Sequence, residues 1–542
     1  MSWQEDARRA VDRMQSVVDS ATTHLAAISR REGQISTELL DHHQEAVYHF
    51  AFLAAETAMA KVMVEYSDHG ETESWVGRIA VADLIRSARA RIDGRRTTLG
   101  IEHDLGGGPC ERVLATGSDP DAVEALVVSF ESTDTGPRHL SDEVALVADT
   151  FARFAREQVA PGAEEIHRHN LDVPEKLIEG MAAMGAFGMS IPADRGGFQD
   201  PAGPGLLAMA VATEELSRGS LMAGSLLTRP EILVTALLDG GTEAQQHNWL
   251  PRIAAGEQMV AVSVTEPDVG SDVASLRMSA RRHGDHFILD GAKMWATFAG
   301  RAELLMILAR TNPDLSAGAK GLSLFVLEKP PFPGHEFTIE QASGGTLRGR
   351  AIDTIGYRGL HSFELTFDDF IVPFEALIGG EDGLGRGFYL QMGAFASGRL
   401  QTAARALGVM QAGFDTALAY SQTRNVFGRP LLEFELTRAN LARTAARIQA
   451  NRQFTYHAAR LLTGGGGQIE AAMAKALASR AAEEITRDAM QLHGGYGYAE
   501  EYPISRLFVD ARVLSIFEGT EEVLALRVIG KGLLERAGTA HD

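Results

Sequence analysis

Cysteine is nearly missing from this chain of 542 residues. Cys110 is the only one, so no disulfide can form within the chain, and a reducing, cytoplasmic setting is expected. Basic residues are in deficit: 51 Lys and Arg face 72 Asp and Glu, for a formal net charge of −21. That balance argues against a nucleic-acid binder and against docking on an anionic membrane. It leaves room for a few local arginines to hold an anionic small molecule. The opening stretch MSWQEDARRAVDRM is acidic and has no apolar centre, so no secretory signal is expected. No apolar run reads as long enough for a membrane span. Internal repeats and low-complexity tracts are absent as well. What is present is an apolar fraction of 45% and 56 glycines, the composition of a folded protein. At this length one hydrophobic core does not suffice, and three or four domains are the prior.

Hydrophobic spacing divides the chain. Residues 1 to about 95 read as helices, with 39–66 as one long helix of broad apolar face and VADLIRSARARI as a second. LGGGPCERVLATGSDPDA, rich in turn formers, then reads as a linker or irregular connection. A softer boundary lies at STDTGPRHLSDE, after which Ser141 is expected to cap DEVALVADTFARFAREQV. Helical patterning continues to about Glu257, broken at GMSIPADRGGFQDPAGPG. The period then shortens. QMVAVSVTEP, HFILDGAKM, ELLMILART, GLSLFVLEK and SFELTFDDFIVP are apolar or alternating between turns, and RRHGDHF predicts a hairpin. From Gly387 helices are predicted again, over 387–424, 433–462 and 468–492, with TGGGGQ separating the last two. The expected organisation is a helical extension at 1–138, a helical domain at 139–258, a β-domain at 259–378 and a helical bundle at 379–542.

The stretch SIFEGTEEVLAL, residues 515–526, poses the chemical question. Thr520 is a good helix N-cap, and Glu521 and Glu522 suit the positive end of the helix dipole. Glu518 has no such role. It precedes the cap, beside Gly519 and behind Ile516 and Phe517. It reads either as a loop carboxylate in water or as one held in a dry pocket and tuned for proton abstraction. Elsewhere, SVTEPDVGSDVASL leaves a strand and offers hydroxyl and backbone N–H groups to a phosphate or a flavin ring, or is a polar turn. KMWATFAG carries a lone Trp295, a residue type that is usually core. RNVFGRP supplies two arginines at a helix break, and QLHGGYGYAEEYP ends a long helix. HGG comes without a G-x-S-x-G elbow, which argues against a hydrolase.

In this order and spacing the stretches resemble the acyl-CoA dehydrogenase family over about residues 140–535. The resemblance implies an α+β multidomain fold: an N-terminal helical domain, a middle β-barrel and a C-terminal four-helix bundle, here with an extra N-terminal helical extension. It implies FAD, held between the last two domains and a neighbouring subunit. By motif, Thr265 matches a residue bonding the flavin edge and Ser271 a phosphate or pantetheine contact. Trp295 and Thr297 match residues lying against the flavin near its N5. Arg424 and Phe427 match positions that reach FAD of the adjacent subunit, and Gln491, Gly494 and Gly495 the loop at its adenosine end. Arg399 matches a contact to CoA, and Gly519 and Thr520 residues touching the flavin or its diphosphate. Glu518 falls on the catalytic base, which takes the α-proton of an acyl thioester while hydride leaves the β-carbon for flavin N5. A water-poor cleft strengthens such a base. Some relatives carry the base on an earlier helix, but Gly398 stands there. Val262 and Glu435 depart from the aromatic residue and the glutamine frequent in the family.

The acyl-pocket segment GSLLTRPEILV contains Thr228 and Arg229, both expected to bind substrate. Arg229 suits a substrate carboxylate through paired donors, or is a surface arginine before a proline. Arg348, Arg350 and Arg358 lie in a long stretch ahead of the last strand, and with the N-terminal extension the resemblance implies a short branched dicarboxylyl-CoA as substrate, with another short or branched acyl-CoA as the alternative. The resemblance implies electron-transfer flavoprotein as acceptor; an oxidase of the same fold is the competing reading. A non-catalytic scaffold is argued against by the intact Glu518, Trp295 and Arg399. No metal site is assigned. Asp41, Glu45 and His49 share a helix face, but VADLIRSARARI does not repeat the pattern. The extension is expected instead to cover the surface that related tetramers use, favouring a homodimer.

Overall fold

The computed structural model describes residues 2–102, 104–117, 119–200 and 203–539. The chain forms two compact units, one of residues 143–401 and one of residues 1–142 with 402–542.

In the first unit a set of helices precedes an eight-stranded sheet. Leu221–Gly240 is buried at every position from Leu221 to Val234, so it is a core helix with no solvent face. This helix and Gln44–Tyr66 of the other unit, 20 and 23 residues long, have the length and apolar composition to cross a membrane. The expectation that no run approaches that length is therefore corrected, although most residues of both helices are buried within the protein. Glu243–Ala254 starts with a capping box: Thr242 Oγ1 accepts from Gln245 N at 3.2 Å, and Gln245 Oε1 accepts from Thr242 N at 2.9 Å. Gln245 Nε2 also donates to Glu375 O and Leu377 O at 2.9 and 2.7 Å, tying this helix to the chain leaving the sheet.

The strands are β1 (Val260–Ser263), β2 (Ser279–His283), β3 (His286–Thr297), β4 (Leu304–Arg310), β5 (Leu322–Glu328), β6 (Glu336–Glu340), β7 (Thr346–Ile352) and β8 (Ser362–Pro373). Their order is β1-β4-β2-β3-β8-β7-β6, with β5 on the free side of β4. β1 and β2 run parallel to β4, and the other pairs are antiparallel. The predicted hairpin is there, with His283 opposite His286 across the turn. β4 is buried at all seven positions, and Leu304, Met306 and Leu308 pack against Leu233, Leu237 and Leu250 of the helical layer. β6 and β7 are not expected from the sequence. In β7 only Leu347 and Gly349 turn inward, and the exposed Arg348 and Arg350 between them hide the alternation.

In the second unit the extension packs on the C-terminal helices, with Gln44–Tyr66 and Glu71–Ile92 both against Glu435–Thr463. The single helix expected at 39–66 is two, Thr37–His42 and Gln44–Tyr66, because His43 leaves helical dihedrals at φ −116° and ψ 25°. The expected linker after residue 100 holds two helices, Gly108–Thr116 and Pro120–Thr133. Each has proline in its first turn, where no N–H is needed. Gly117 ends the first so close to Glu71–Ile92 that a Cβ there would lie 2.1 Å from Ala82 Cβ. The coil before residue 142 is fastened by a buried network. Arg452 donates to Thr135 Oγ1, Gln411 Oε1 and Gln449 Oε1 at 2.7–2.8 Å, and Tyr66 OH donates to Pro137 O at 2.9 Å. Burial holds the Tyr66 phenol well above its ordinary pKa, so it stays a donor. The later helices, Gly387–Thr423, Glu435–Thr463 and Gln468–His493, match their predicted bounds within two residues.

Candidate active site

Glu518 follows helix Pro503–Leu514 in a tight turn. Its φ is +55° and that of Gly519 is +96°, so two consecutive residues sit in the left-handed region. Glycine does so freely; a glutamate there is held by its surroundings. Those surroundings are polar and dry. Thr402 Oγ1 and Arg405 Nη2 each donate to the carboxylate at 2.7 Å. Arg405 is fully buried, the Glu518 side chain is 11% exposed, and the guanidinium lies 4.6 Å from the Phe517 ring centroid. The solvated-loop reading of Glu518 is thus corrected. Lys475 Nζ donates to Gly519 O at 2.6 Å, and Thr520 Oγ1 accepts from Val523 N as the predicted cap. The next residue, Glu521, lies 3.5 Å from Arg480 and bonds Tyr48 OH, whose pKa burial and this carboxylate push up to about 12. A side-chain cavity of about 460 Å³ opens here, walled by Arg480, Glu483, Arg512, Thr520 and Glu521.

The same unit carries Arg424, Phe427, Gln491, Gly494 and Gly495, all exposed. Phe427 tips a small hairpin with φ +50° and is 98% exposed, an extreme for an apolar ring. The Arg424 guanidinium lies 5.6 Å from the Tyr496 ring centroid. The metal reading of Asp41, Glu45 and His49 finds no support. Asp41 is taken by Arg527 at 2.7 Å and Glu45 by Arg95 at 2.8 Å.

In the unit of residues 143–401, Thr265 follows β1, and its carbonyl accepts from Met294 N at 2.8 Å. Glu266 braces this loop: its carboxylate accepts from Arg277 N, Met278 N and the buried Lys293 Nζ at 2.8–3.0 Å. Desolvation brings the Lys293 ammonium down to about 8. Ser271 lies exposed in the loop beyond. Trp295 is not a core residue. It has φ +62° and is 53% exposed at the end of β3, while Thr297 is buried with its hydroxyl 3.0 Å from Ser362 Oγ. Arg399 is buried on Gly387–Thr423. Arg229 is not a surface arginine either. It is 7% exposed, donates to Ser225 O at 3.0 Å and lies 5.7 Å from the Tyr357 ring centroid. No carboxylate pairs with it among the described residues. The neighbouring Thr228 hydroxyl is buried with no hydrogen-bond partner among the described residues.

Four further polar groups are not singled out from the sequence. Thr402 and Arg405 follow Arg399 on the same helix, three residues apart, a spacing that puts them on one face. Lys475 looks like an ordinary helix lysine. Glu231 lies in the acyl-pocket segment, buried, with Ser397 Oγ donating to it at 2.7 Å; burial raises its pKa above the ordinary carboxylate value.

The chain matches the sequence profiles of the acyl-CoA dehydrogenase N-terminal domain over residues 141–257, the middle domain over 261–370 and the C-terminal domain over 385–534. It is 37% identical to the (2S)-methylsuccinyl-CoA dehydrogenase of Cereibacter sphaeroides, covering 98% of both chains. Butyryl-CoA dehydrogenase from Megasphaera elsdenii superposes with a TM-score of 0.67 at 31% identity, over 73% of this chain and 99% of that one. A glutaryl-CoA dehydrogenase from Mycobacterium smegmatis in complex with FADH2 gives 0.62 at 26% identity, over 73% and 95%. With a helical layer, a curled sheet and C-terminal helices in the same succession, the chain belongs to the acyl-CoA dehydrogenase family, flavin-dependent oxidoreductases of acyl-CoA substrates.

Proposed function

We propose that the protein oxidises a short, branched dicarboxylyl-CoA, (2S)-methylsuccinyl-CoA to mesaconyl-CoA, with Glu518 as the base. The observation that carries the substrate is Arg229. A buried guanidinium bound, among the described residues, only to its own helix and an aromatic face is costly unless an anion completes it. The distal carboxylate of the substrate is that anion, and the unbonded Thr228 hydroxyl offers it a further donor. The full-length likeness to a methylsuccinyl-CoA dehydrogenase supports the same reading.

FAD suits the residues present. The half-exposed Trp295 indole in one unit and the bare Phe427 ring in the other are each an open aromatic face of the kind that a large flavin nucleotide covers. Thr265, Ser271, Trp295, Thr297, Arg424, Phe427, Gln491, Gly494, Gly495 and Thr520 would hold it. When bound, FAD supplies the hydride acceptor. Glu518 takes the α-proton; Thr402 and Arg405 fix its carboxylate in one orientation, so little reorganisation accompanies the transfer. The Glu518 backbone N–H, held by the left-handed turn, is the donor to the thioester oxygen as enolate charge develops. Arg399, Gly519 and Ser271 are assigned to the CoA moiety. Electrons leave to electron-transfer flavoprotein. The assembly is a homodimer in the cytoplasm: the extension covers the C-terminal helices, while Phe427 and Leu436 stay open to a second copy.

The test is anaerobic titration of the flavin-loaded protein with (2S)-methylsuccinyl-CoA and with butyryl-CoA, watching the visible flavin band. The diacid is expected to bleach it. Arg229→Met should weaken the diacid reaction by about ten- to a hundredfold, the worth of a charge-assisted hydrogen bond, and spare butyryl-CoA. Bleaching by butyryl-CoA alone would overturn the diacid assignment, and a tetramer mass in solution would overturn the dimer.

A further inference from the structure

A second group of chemistry-bearing side chains lies in the unit of residues 143–401, outside the residues assigned above. A cavity of about 260 Å³ there is walled by Asp172, Glu175, Phe298, Arg301, Phe332 and His361 among others. Asp172, His335 and His361 each present one ligand-type atom, and these atoms all lie within 4.8 Å of one another. Asp172 lies on the loop after helix Ala160–His169, His335 just before β6 and His361 just before β8.

Three details separate this cluster from chance proximity. The first is the spacing. His361 is 5% exposed, and its Nε2 lies 2.9 Å from Asp172 Oδ1, yet that nitrogen makes no aligned hydrogen bond. Neighbouring ligands around one ion, with bonds of about 2.1 Å, stand about 3.0 Å apart in an octahedral site and about 3.4 Å in a tetrahedral one, which the Asp172–His361 pair matches, while the His335 atom lies within 4.8 Å of both. The second is bracing. Asp172 Oδ2 accepts from Gly334 N at 2.8 Å, which leaves Oδ1 turned to the histidine. His335 O accepts from Ala351 N at 2.7 Å, and His361 O from Phe298 N at 2.8 Å. The Asp172 carboxylate is thus oriented by an outer contact, as ligands in metal sites are, and backbone bonds hold the main chain from which both histidines project. The third is charge. Arg301, the cation in the wall, is occupied by Glu175 at 2.6 and 2.9 Å and by Glu303. Asp172 has only His361 as an ionic partner among the described residues.

We infer that Asp172, His335 and His361 form a binding site for a divalent transition-metal ion, zinc being the natural match to two imidazoles and one carboxylate. The adjoining cavity leaves the remaining coordination to water. The ion cross-links the loop after Ala160–His169 to the starts of β6 and β8. Because Phe298 N bonds His361 O and Thr297 bonds Ser362, that cross-link also stiffens the strand end carrying Trp295 and Thr297.

The test uses untagged, flavin-loaded, full-length protein, stripped with a chelator and dialysed. Zinc chloride alone is titrated in, with calorimetry, metal analysis after redialysis and thermal unfolding as readouts. One retained zinc per chain and a raised melting temperature are expected. Asp172→Asn and His335→Ala change exposed side chains and should each weaken binding at least about tenfold. No retained zinc in the unaltered protein would overturn the site and leave a plain histidine–aspartate pair. Zinc retained equally by both variants would overturn it too, by locating the ion elsewhere.

Discussion

Arg405→Met is the perturbation whose consequence the structure bounds best. Arg405 Nη2 and Glu518 Oε1 are 2.7 Å apart, with the arginine fully buried and the glutamate nearly so. At an effective dielectric of about 20, opposite charges at this spacing attract by about 6 kcal/mol. Desolvation of both groups offsets most of that, so the pair itself adds little net stability. Removing one partner is another matter, because the remaining buried charge keeps its desolvation cost and loses its compensation. Arg405→Met should therefore destabilise the protein by about 3–5 kcal/mol. Glu518→Gln in the same chain removes the stranded charge, so the double variant should recover most of the loss. The assay is urea unfolding of the flavin-loaded protein, followed by far-ultraviolet circular dichroism, for the two single variants and the double variant. The cycle isolates the pairwise term, since Arg405 also donates to Thr402. An Arg405→Met protein within about 1 kcal/mol of the unaltered one, or a double variant no better than Arg405→Met alone, would refute the reasoning. Glu518→Gln by itself leaves the buried Arg405 without its counter-charge and should lower stability as well, while slowing bleaching of the flavin-loaded protein by acyl-CoA at least about 10²- to 10⁴-fold.

Three other outcomes are expected. Burial brings the Lys329 ammonium down from 10.5 to about 7, so between those values the unfolded chain carries a proton that the folded one lacks. Stability should therefore rise as pH goes from about 7 toward 10.5, by at most about 1.4 kcal/mol per pH unit, and Lys329→Met should flatten that slope in urea titrations at several pH values. Gly117→Ala places a Cβ 2.1 Å from Ala82 Cβ and 3.0 Å from Arg78 O, a contact between backbone-fixed atoms. It should cost about 1–3 kcal/mol and lower the melting temperature, with no change if the two helices separate freely. Tyr48→Phe removes the phenol from Glu521 and should cost about 1.5–3 kcal/mol, measured by the shift of the urea midpoint.

What was legible in the sequence follows the range of the signal. The helices 387–423, 435–463 and 468–493 were legible because their apolar period persists for many turns and glycines mark the break. The hairpin at residues 283–286 was legible from its turn residues. β6 and β7 were not, because arginines occupy the outward positions of β7 and only two residues turn inward. The helices inside the glycine-rich stretch after residue 100 were missed because their short apolar faces are completed only by other helices. At the site, the place of Glu518 before a cap and beside a glycine set it apart in the sequence, but left open whether it lies in water or in a pocket. Its partners were not, since Thr402 and Arg405 lie more than a hundred residues away and resemble any helix pair.

By itself the sequence determined the single cysteine, the acidic balance, the succession of helices, strands and helices, and the family motifs around Thr265, Trp295, Arg424 and Glu518. These are local properties, set by residue type and short-range spacing. Only the tertiary structure decided that Arg229 is buried with no carboxylate partner among the described residues and that Glu518 is held by a buried arginine. It alone gathered Asp172, His335 and His361 into one cluster. Burial and charge pairing depend on which distant segments meet, and no local pattern carries that information.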